Sequence, residues 1–215
     1  MLCCFQPGVI VSLLALLISS AAFALTPQDK LTQYSRQTWQ TENGLPQNTV
    51  RAILQDHEGY IWLGTEGGLV RFDGLKFVVF DAENTPALKS NNITGLLEDN
   101  TGTLWIGTTE GITTLRTAEF RTYTTEDGLP ANHIWSLYLD PAGVIYATTP
   151  EGTAHFSRNY FVRDAAPSQA LTAQNRSAHL WAGSVKTGLP SPGITTVYQD
   201  REGSLWIGSD AGSHG

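Results

Sequence analysis

An acidic turn followed by a tryptophan-bearing strand returns four times along this chain. That recurrence constrains the fold more than any other feature. It reads Asp56-His-Glu-Gly59-Tyr-Ile-Trp62-Leu-Gly64, then Asp99-Asn-Thr-Gly102-Thr-Leu-Trp105-Ile-Gly107. The third copy fades to Asp140-Pro-Ala-Gly143-Val-Ile-Tyr146-Ala, and the fourth recovers as Asp200-Arg-Glu-Gly203-Ser-Leu-Trp206-Ile-Gly208. The aspartates step by 43, 41 and 60 residues. A period of about 42 residues means one supersecondary unit copied in series.

The repeat is longer than the tryptophan phrase. Twelve residues before three of the aspartates stand Gly44-Leu-Pro46, Gly128-Leu-Pro130 and Gly188-Leu-Pro190. Eight residues before the first three stand Asn48, Asn91 and Asn132, with Pro192 in the fourth copy. Short aliphatic runs follow and read as strands between turn signals. Each unit predicts four strands. The first ends at the aspartate, and Asp-x-x-Gly closes a hairpin in which the carboxylate accepts a backbone N–H and the glycine takes positive φ. The second is the Ile-Trp-Leu-Gly strand. A Thr/Ser-x-x-Gly turn leads to a third, Leu69-Val-Arg-Phe72, Ile112-Thr-Thr-Leu115 or Thr153-Ala-His-Phe156. A last reversal gives Phe77-Val-Val-Phe80 or Phe120-Arg-Thr-Tyr123. Four antiparallel strands per repeat make an all-β chain, a β-propeller of four-stranded blades. The ring on the second strand is expected to fill the gap between sheets, contributing roughly 2–3 kcal/mol per blade.

Composition agrees with a turn-rich β protein: 21 Gly, 10 Pro and a single Met among 215 residues. The net charge of -7 supplies no basic field for nucleic acid or anionic lipid. Residues 1–25 hold no Asp, Glu, Lys or Arg, and an apolar run from Val9 to Ile18 precedes Ala22-Phe-Ala24. That pattern predicts an export signal over 1–24 cut after Ala24, hence a periplasmic or extracellular protein. An uncleaved segment would instead anchor the chain to a membrane. Cys3 and Cys4 both fall inside it, so the mature chain has neither disulfide nor thiolate site.

Segment 25–43 resembles the tail of the second repeat, with Trp39 and Tyr123 each five residues before a glycine. It is expected to supply an outer blade strand that ties the ends of the chain together. Blades 1–3 are expected over 44–163, a degenerate or inserted segment over 164–186 and an incomplete blade over 187–215. The propeller is therefore expected to be partial, about three and a half blades against the usual four to eight.

The run Gly-Leu-Pro-x-Asn, apolar strand, Asp-x-x-Gly-x-Leu-Trp-Ile-Gly-Thr and Gly-Leu-x-Arg-Phe-Asp-Gly resembles the two-component regulator propeller repeat, above all at residues 44 to 74. The resemblance spans roughly 31 to 163 and 187 to 212. It departs from the pattern at Tyr146-Ala147 and Pro192. It implies a periplasmic sensor region, often for carbohydrates, ahead of a kinase or cyclase output that these residues do not contain. A protein-interaction scaffold is the main alternative, and a protein partner its consequence.

A sialidase-like enzyme would need two flanking carboxylates. Glu66, Glu110 and Glu151 read as equivalent turn residues rather than as a unique acid and base. His57, His133, His155, His179 and His214 stand singly, and Asp-x-x-Gly lacks the dense oxygens of a calcium loop. No catalytic, cofactor or metal residue is assigned. The expected structural positions are Asp56, Gly59, Trp62, Asp99, Gly102, Trp105, Asp140, Gly143, Tyr146, Asp200, Gly203 and Trp206.

Overall fold

The computed structural model describes residues 2–7, 34–164, 194–202 and 204–209. The cleavage point at Ala24, Gly203, and the stretch 165–193 lie outside the described residues. That stretch includes nearly all of the 164–186 segment. In chain order the strands are β1 (Leu2–Pro7), β2 (Tyr34–Trp39), β3 (Val50–Gln55), β4 (Ile61–Thr65), β5 (Leu69–Phe72) and β6 (Phe77–Phe80). They continue as β7 (Ile93–Glu98), β8 (Leu104–Thr108), β9 (Gly111–Arg116), β10 (Glu119–Tyr123), β11 (Ser136–Leu139) and β12 (Ile145–Thr149). The last four are β13 (Gly152–Ser157), β14 (Tyr160–Arg163), β15 (Ile194–Gln199) and β16 (Leu205–Ser209). No described helix is long and apolar enough to cross a membrane.

These strands form antiparallel sheets of four, the blades of a partial propeller. Blade 1 is β3-β4-β5-β6, blade 2 β7-β8-β9-β10 and blade 3 β11-β12-β13-β14, each consecutive in sequence. Blade 4 is composite, in the order β15-β16-β1-β2. First strands lie side by side in the order β15, β3, β7, β11, so blade 4 adjoins blade 1 and blade 3 stands at the other end of the arc.

A blade has two apolar faces and buries them only against its neighbours, which gives three inter-blade cores. Trp206 joins Leu45, Val50, Leu63, Val70 and Phe72 between blades 4 and 1. Trp62 joins Leu88, Ile93 and Ile106 between blades 1 and 2. Trp105 joins Leu129, Ile134, Ala147 and Phe161 between blades 2 and 3. The strand-two tryptophan of one blade thus always meets the first strand of the next. Burial of each ring is nearly complete, at 3–5% exposure. Close approach explains the glycine that follows: a Cβ on Gly64 would stand 2.7 Å from Ile93 Cγ2, and one on Gly208 2.7 Å from the Val50 carbonyl oxygen.

The second copy also carries the buried leucine of the Gly-Leu-Pro turn. Leu88, wholly buried, sits five residues before Ile93, as Leu45 does before Val50 and Leu129 before Ile134. Its glycine and proline have become Ala87 and Lys89, which hides the motif from a residue match.

First strands of blades 1, 2 and 4 carry an irregularity after their first residue, placing Arg51, Thr94 and Thr195 at a bulge. In blade 3 the regular strand begins only at Ser136. The expected strand residue Ile134 precedes it and donates its N–H to the Thr108 carbonyl of blade 2 at 2.9 Å. Trp135, which aligns in the repeat with Arg51 and Thr94, then donates to the Thr148 carbonyl at 2.8 Å.

Candidate functional site

The recurring aspartate and tryptophan are bonded to each other. Trp62 Nε1 donates to Asp56 Oδ2 at 2.7 Å, Trp105 Nε1 to Asp99 Oδ2 at 2.8 Å and Trp206 Nε1 to Asp200 Oδ2 at 2.8 Å. The other carboxylate oxygen accepts the backbone N–H four residues on, from Tyr60 at 2.9 Å, Thr103 at 3.1 Å and Ser204 at 2.7 Å. One carboxylate therefore closes the hairpin and satisfies an indole N–H taken out of water. Burial opposes ionisation of Asp99, but the Thr101 hydroxyl, the Trp105 indole and two backbone N–H groups hold it below the usual carboxylate range. In blade 3 Asp140 keeps the turn bonds, to Ala142 and Val144. Tyr146 takes the ring position there, half-buried between Tyr138 and His155, and burial raises its hydroxyl pKa. The sequence reading found the turn and the packing but missed the indole bond. Its only trace was the constant six-residue separation.

At this end of the blades, the residues after Asp200 and Asp56 each cross to the neighbouring blade. Arg201 donates to the carbonyls of Asp56 at 2.6 Å and His57 at 3.2 Å. His57 pairs in turn with Glu98 of blade 2, whose hydrogen bond and charge raise the imidazole pKa. The imidazole also crowds Gly102, where a Cβ would lie 2.9 Å from Cε1. These contacts join blades 4, 1 and 2 along one rim.

The opposite end carries the Gly-Leu-Pro connections, the Thr-x-x-Gly turns and the bulges. Its asparagines are structural: Asn48 Oδ1 accepts from Thr41 N at 2.8 Å, Asn91 Oδ1 from Ala82 N at 2.7 Å and Asn132 Oδ1 from Thr125 N at 2.9 Å. Threonine closes each turn through its hydroxyl, Thr65 to the Gly68 carbonyl, Thr108 to Gly111 and Thr149 to Gly152. The bulge position is less uniform, arginine in blade 1 and threonine in blades 2 and 4, and a bulge re-aims its side chain from the ladder. Arg51 pairs with Glu66 and both stay partly exposed. Thr94 Oγ1 on β7 and Asn92 Oδ1 just before that strand are buried oxygens without a hydrogen-bond partner. Trp135 of blade 3 is 59% exposed, next to a Ser136–Thr148 hydroxyl pair at 2.8 Å. Adjacent inner strands thus present a partly exposed ion pair and an exposed indole at one end.

The three glutamates are less equivalent than the sequence implies. Glu110 and Glu151 follow their threonine by two positions and donate their N–H groups to it, the place of Gly67 in blade 1. Glu66 stands one residue earlier, and its carboxylate is engaged by Arg51. Among the described histidines, His57 pairs with Glu98, His155 with Asp164 at 2.7 Å, and His133 is exposed. No group of three His, Cys, Asp or Glu among the described residues is placed to hold a metal ion.

Comparison with known proteins returns the same repeat. The family model for the two component regulator propeller matches residues 44–67, 87–110 and 188–211. The second match begins at Ala87, the position of Gly44 and Gly188. Among solved structures, the extracellular domain of BT3049 from B. thetaiotaomicron, described as a hybrid two component system, is 24% identical with a TM-score of 0.56. That likeness covers 85% of this chain and 23% of the other. The extracellular domain of BT4673 from the same organism gives 21% identity and a TM-score of 0.48, over 78% of this chain and 23% of its own. Virginiamycin B lyase from Staphylococcus aureus gives 13% and 0.44, over 75% and 49%. The chain therefore spans about a quarter of the first structure it resembles. Among curated proteins nothing matches. Three matched repeats, each beginning at a Gly-Leu-Pro position and covering the first two strands of a blade, are what this chain shares with the two component regulator propeller model.

Proposed function

We propose that this chain is the extracytoplasmic ligand-sensing propeller region of a two-component or related signalling receptor, whose output lies in another part of the receptor. The repeat family supports the sensor reading, and the BT3049 likeness supports the fold in which it would operate. The observation that carries the ligand is the bulge end of β3, β7 and β11. The asparagines and threonines that recur there are committed to turns, and Leu45, Leu88 and Leu129 to the cores. Trp135 and the Arg51–Glu66 pair belong to single blades and keep exposed groups. An exposed indole near the Ser136–Thr148 hydroxyl pair, at the same end as the Arg51–Glu66 pair, suits a carbohydrate, whose C–H faces stack on aromatic rings while its hydroxyls bond to polar side chains. We read the site as one of binding without catalysis, since Glu66 is paired with Arg51 and Glu110 and Glu151 hold equivalent turn positions in successive blades.

Thermal shift of the whole chain against a panel of neutral and acidic oligosaccharides tests this reading. At least one sugar should raise the melting temperature and quench tryptophan fluorescence, and Trp135→Ala should remove both effects without changing the unliganded melt. Binding untouched by Trp135→Ala would displace the site. A panel with no binder, joined to capture of a protein at the same face, would favour a scaffold.

A further inference from the structure

Blade 4 differs from the others in how its third strand is supplied. β16 and β2 are joined only through Leu2–Pro7, and β2 has no other neighbour in its sheet. Leu2 stands opposite Gly208 on one side and Trp39 on the other, Cys4 opposite Trp206, and Phe5 opposite Leu205. In blade 1 the same positions are Leu69 opposite Gly64 and Phe80, Arg71 opposite Trp62, and Phe72 opposite Ile61. Leu2-Cys-Cys-Phe5 therefore occupies the register of Leu69-Val-Arg-Phe72, with leucine first and phenylalanine fourth in both.

The same six residues belong to the segment whose composition predicts an export signal. Removal at Ala24 and pairing with β2 exclude each other. We propose that Leu2–Pro7 serves both purposes, an inference that rests on the export reading. It closes blade 4 in the unprocessed chain, and cleavage opens a slot between β16 and β2 that takes an extended Leu-x-x-Phe strand, the third strand of a repeat of this kind. Such a slot is bounded by two strand edges about 9–10 Å apart, twice the ordinary spacing. They are too far apart to pair with each other, so an added strand satisfies the unpaired N–H and C=O groups of both.

The register gives the test in the full, unprocessed chain. With Thr38→Cys and Cys4→Ser, Cys3 faces residue 38 across an antiparallel pair, where Cα atoms about 4.5–5.5 Å apart lie within disulfide reach. Oxidation should link 3 to 38. With Thr38→Cys and Cys3→Ser the remaining Cys4 faces Gln37, and little bond should form. Signal-peptidase cleavage should then speed amide exchange in β2 by about tenfold or more. A peptide with the sequence of residues 68–73 should slow it again, and a scrambled one should not. Equal linkage from Cys3 and Cys4, or exchange in β2 indifferent to cleavage, would overturn the proposal. Correct linkage in a chain that signal peptidase does not cut would overturn the dual role through the export reading alone, leaving the strand in place.

Discussion

Trp39 stacks on Trp206, with ring centroids 5.6 Å apart and planes inclined by 12°. One ring comes from the N-terminal strand β2 and the other from the last repeat. Trp105 and Tyr123 make the same stack inside blade 2, at 6.0 Å and 17°. The shared spacing of Trp39 and Tyr123 before a glycine thus reappears as a shared contact. In blade 4 the contact unites strands from opposite ends of the chain, and Trp39 also meets Phe72 and Phe77 of blade 1 edge-on.

Replacing Trp39 by alanine should therefore weaken blade 4 and its junction with blade 1. Truncation of a buried aromatic removes about 3–5 kcal/mol, and the partial exposure of Trp39 puts the expected loss near the lower end, about 3 kcal/mol. Hydrogen exchange should localise the effect, with faster exchange in β2 and β16 and little change in β12 and β13. A uniform loss across all blades would show that the stack is not a local clasp.

Asp56 and Trp62 form the most buried of the indole–carboxylate pairs, at 6% and 4% exposure. Asp56→Ala strands the indole N–H and the Tyr60 N–H together, and an unsatisfied buried donor costs about 1–3 kcal/mol. Asp56→Asn keeps an acceptor for one of them and should lose less. Trp62→Phe keeps most of the apolar ring but leaves the carboxylate without its donor, so Trp62→Phe combined with Asp56→Ala should cost less than the two separate losses added. Urea denaturation of the four proteins measures the coupling.

For Asp99 the sign with pH follows from its depressed pKa. A carboxylate held below its usual 3.8 contributes stability that is present above that value and is lost as pH falls through the lower folded-state value. Asp99→Asn should flatten this acid limb and lower stability near neutrality by about what the unaltered chain loses along that limb. Melting temperatures of the two proteins between pH 5 and pH 2, values set by the usual carboxylate range, decide it. An unchanged slope would mean that the bonds from Thr101 and Trp105 do not favour the charged form.

The blade was legible because its period, turns and rings are fixed by backbone needs that repeat unchanged. Three things were not. The indole bond of Asp56 to Trp62 joins two side chains whose recurrence already had separate explanations, so nothing in the spacing demanded it. Leu88 is recognised by its burial, whereas the glycine and proline around Leu45 and Leu129 were lost from the second copy. Trp135 reads as one more aromatic in a strand, whereas it precedes β11, outside the regular ladder, and is exposed. Local chemistry marks positions that every blade shares. A binding surface is built where blades differ, and one copy of a repeat does not announce its own exceptions.

Gly64 tests how tightly the blades approach. A methyl group there would meet Ile93 Cγ2 at 2.7 Å and Ala52 Cβ at 3.2 Å, whereas at Gly107 the nearest atom, Ile134 Cγ2, stands at 3.0 Å. Overpacking of this kind costs about 1–3 kcal/mol. Gly64→Ala should therefore destabilise more than Gly107→Ala. Ile93→Ala creates room at the same point, so Gly64→Ala should be better tolerated in that background. Additive losses in the double variant would place the conflict elsewhere.

His57 and Glu98 link blades 1 and 2 at the Asp-x-x-Gly rim. The imidazole faces Glu98 across the blade boundary, with Glu58 and Asp56 of its own turn adding negative charge around it. A folded-state pKa raised above the usual 6.5 means that the link contributes fully below that value and fades as pH rises through the folded-state value. The ring is open to solvent, so added salt should shrink the shift. Glu98→Gln should return the His57 titration, followed by the imidazole NMR signals, to the ordinary histidine range. His57→Ala should leave the blades folded and make stability less dependent on pH across neutrality. A His57 titration at the ordinary value in the unaltered chain, or one indifferent to Glu98→Gln, would remove this inter-blade pair from the rim.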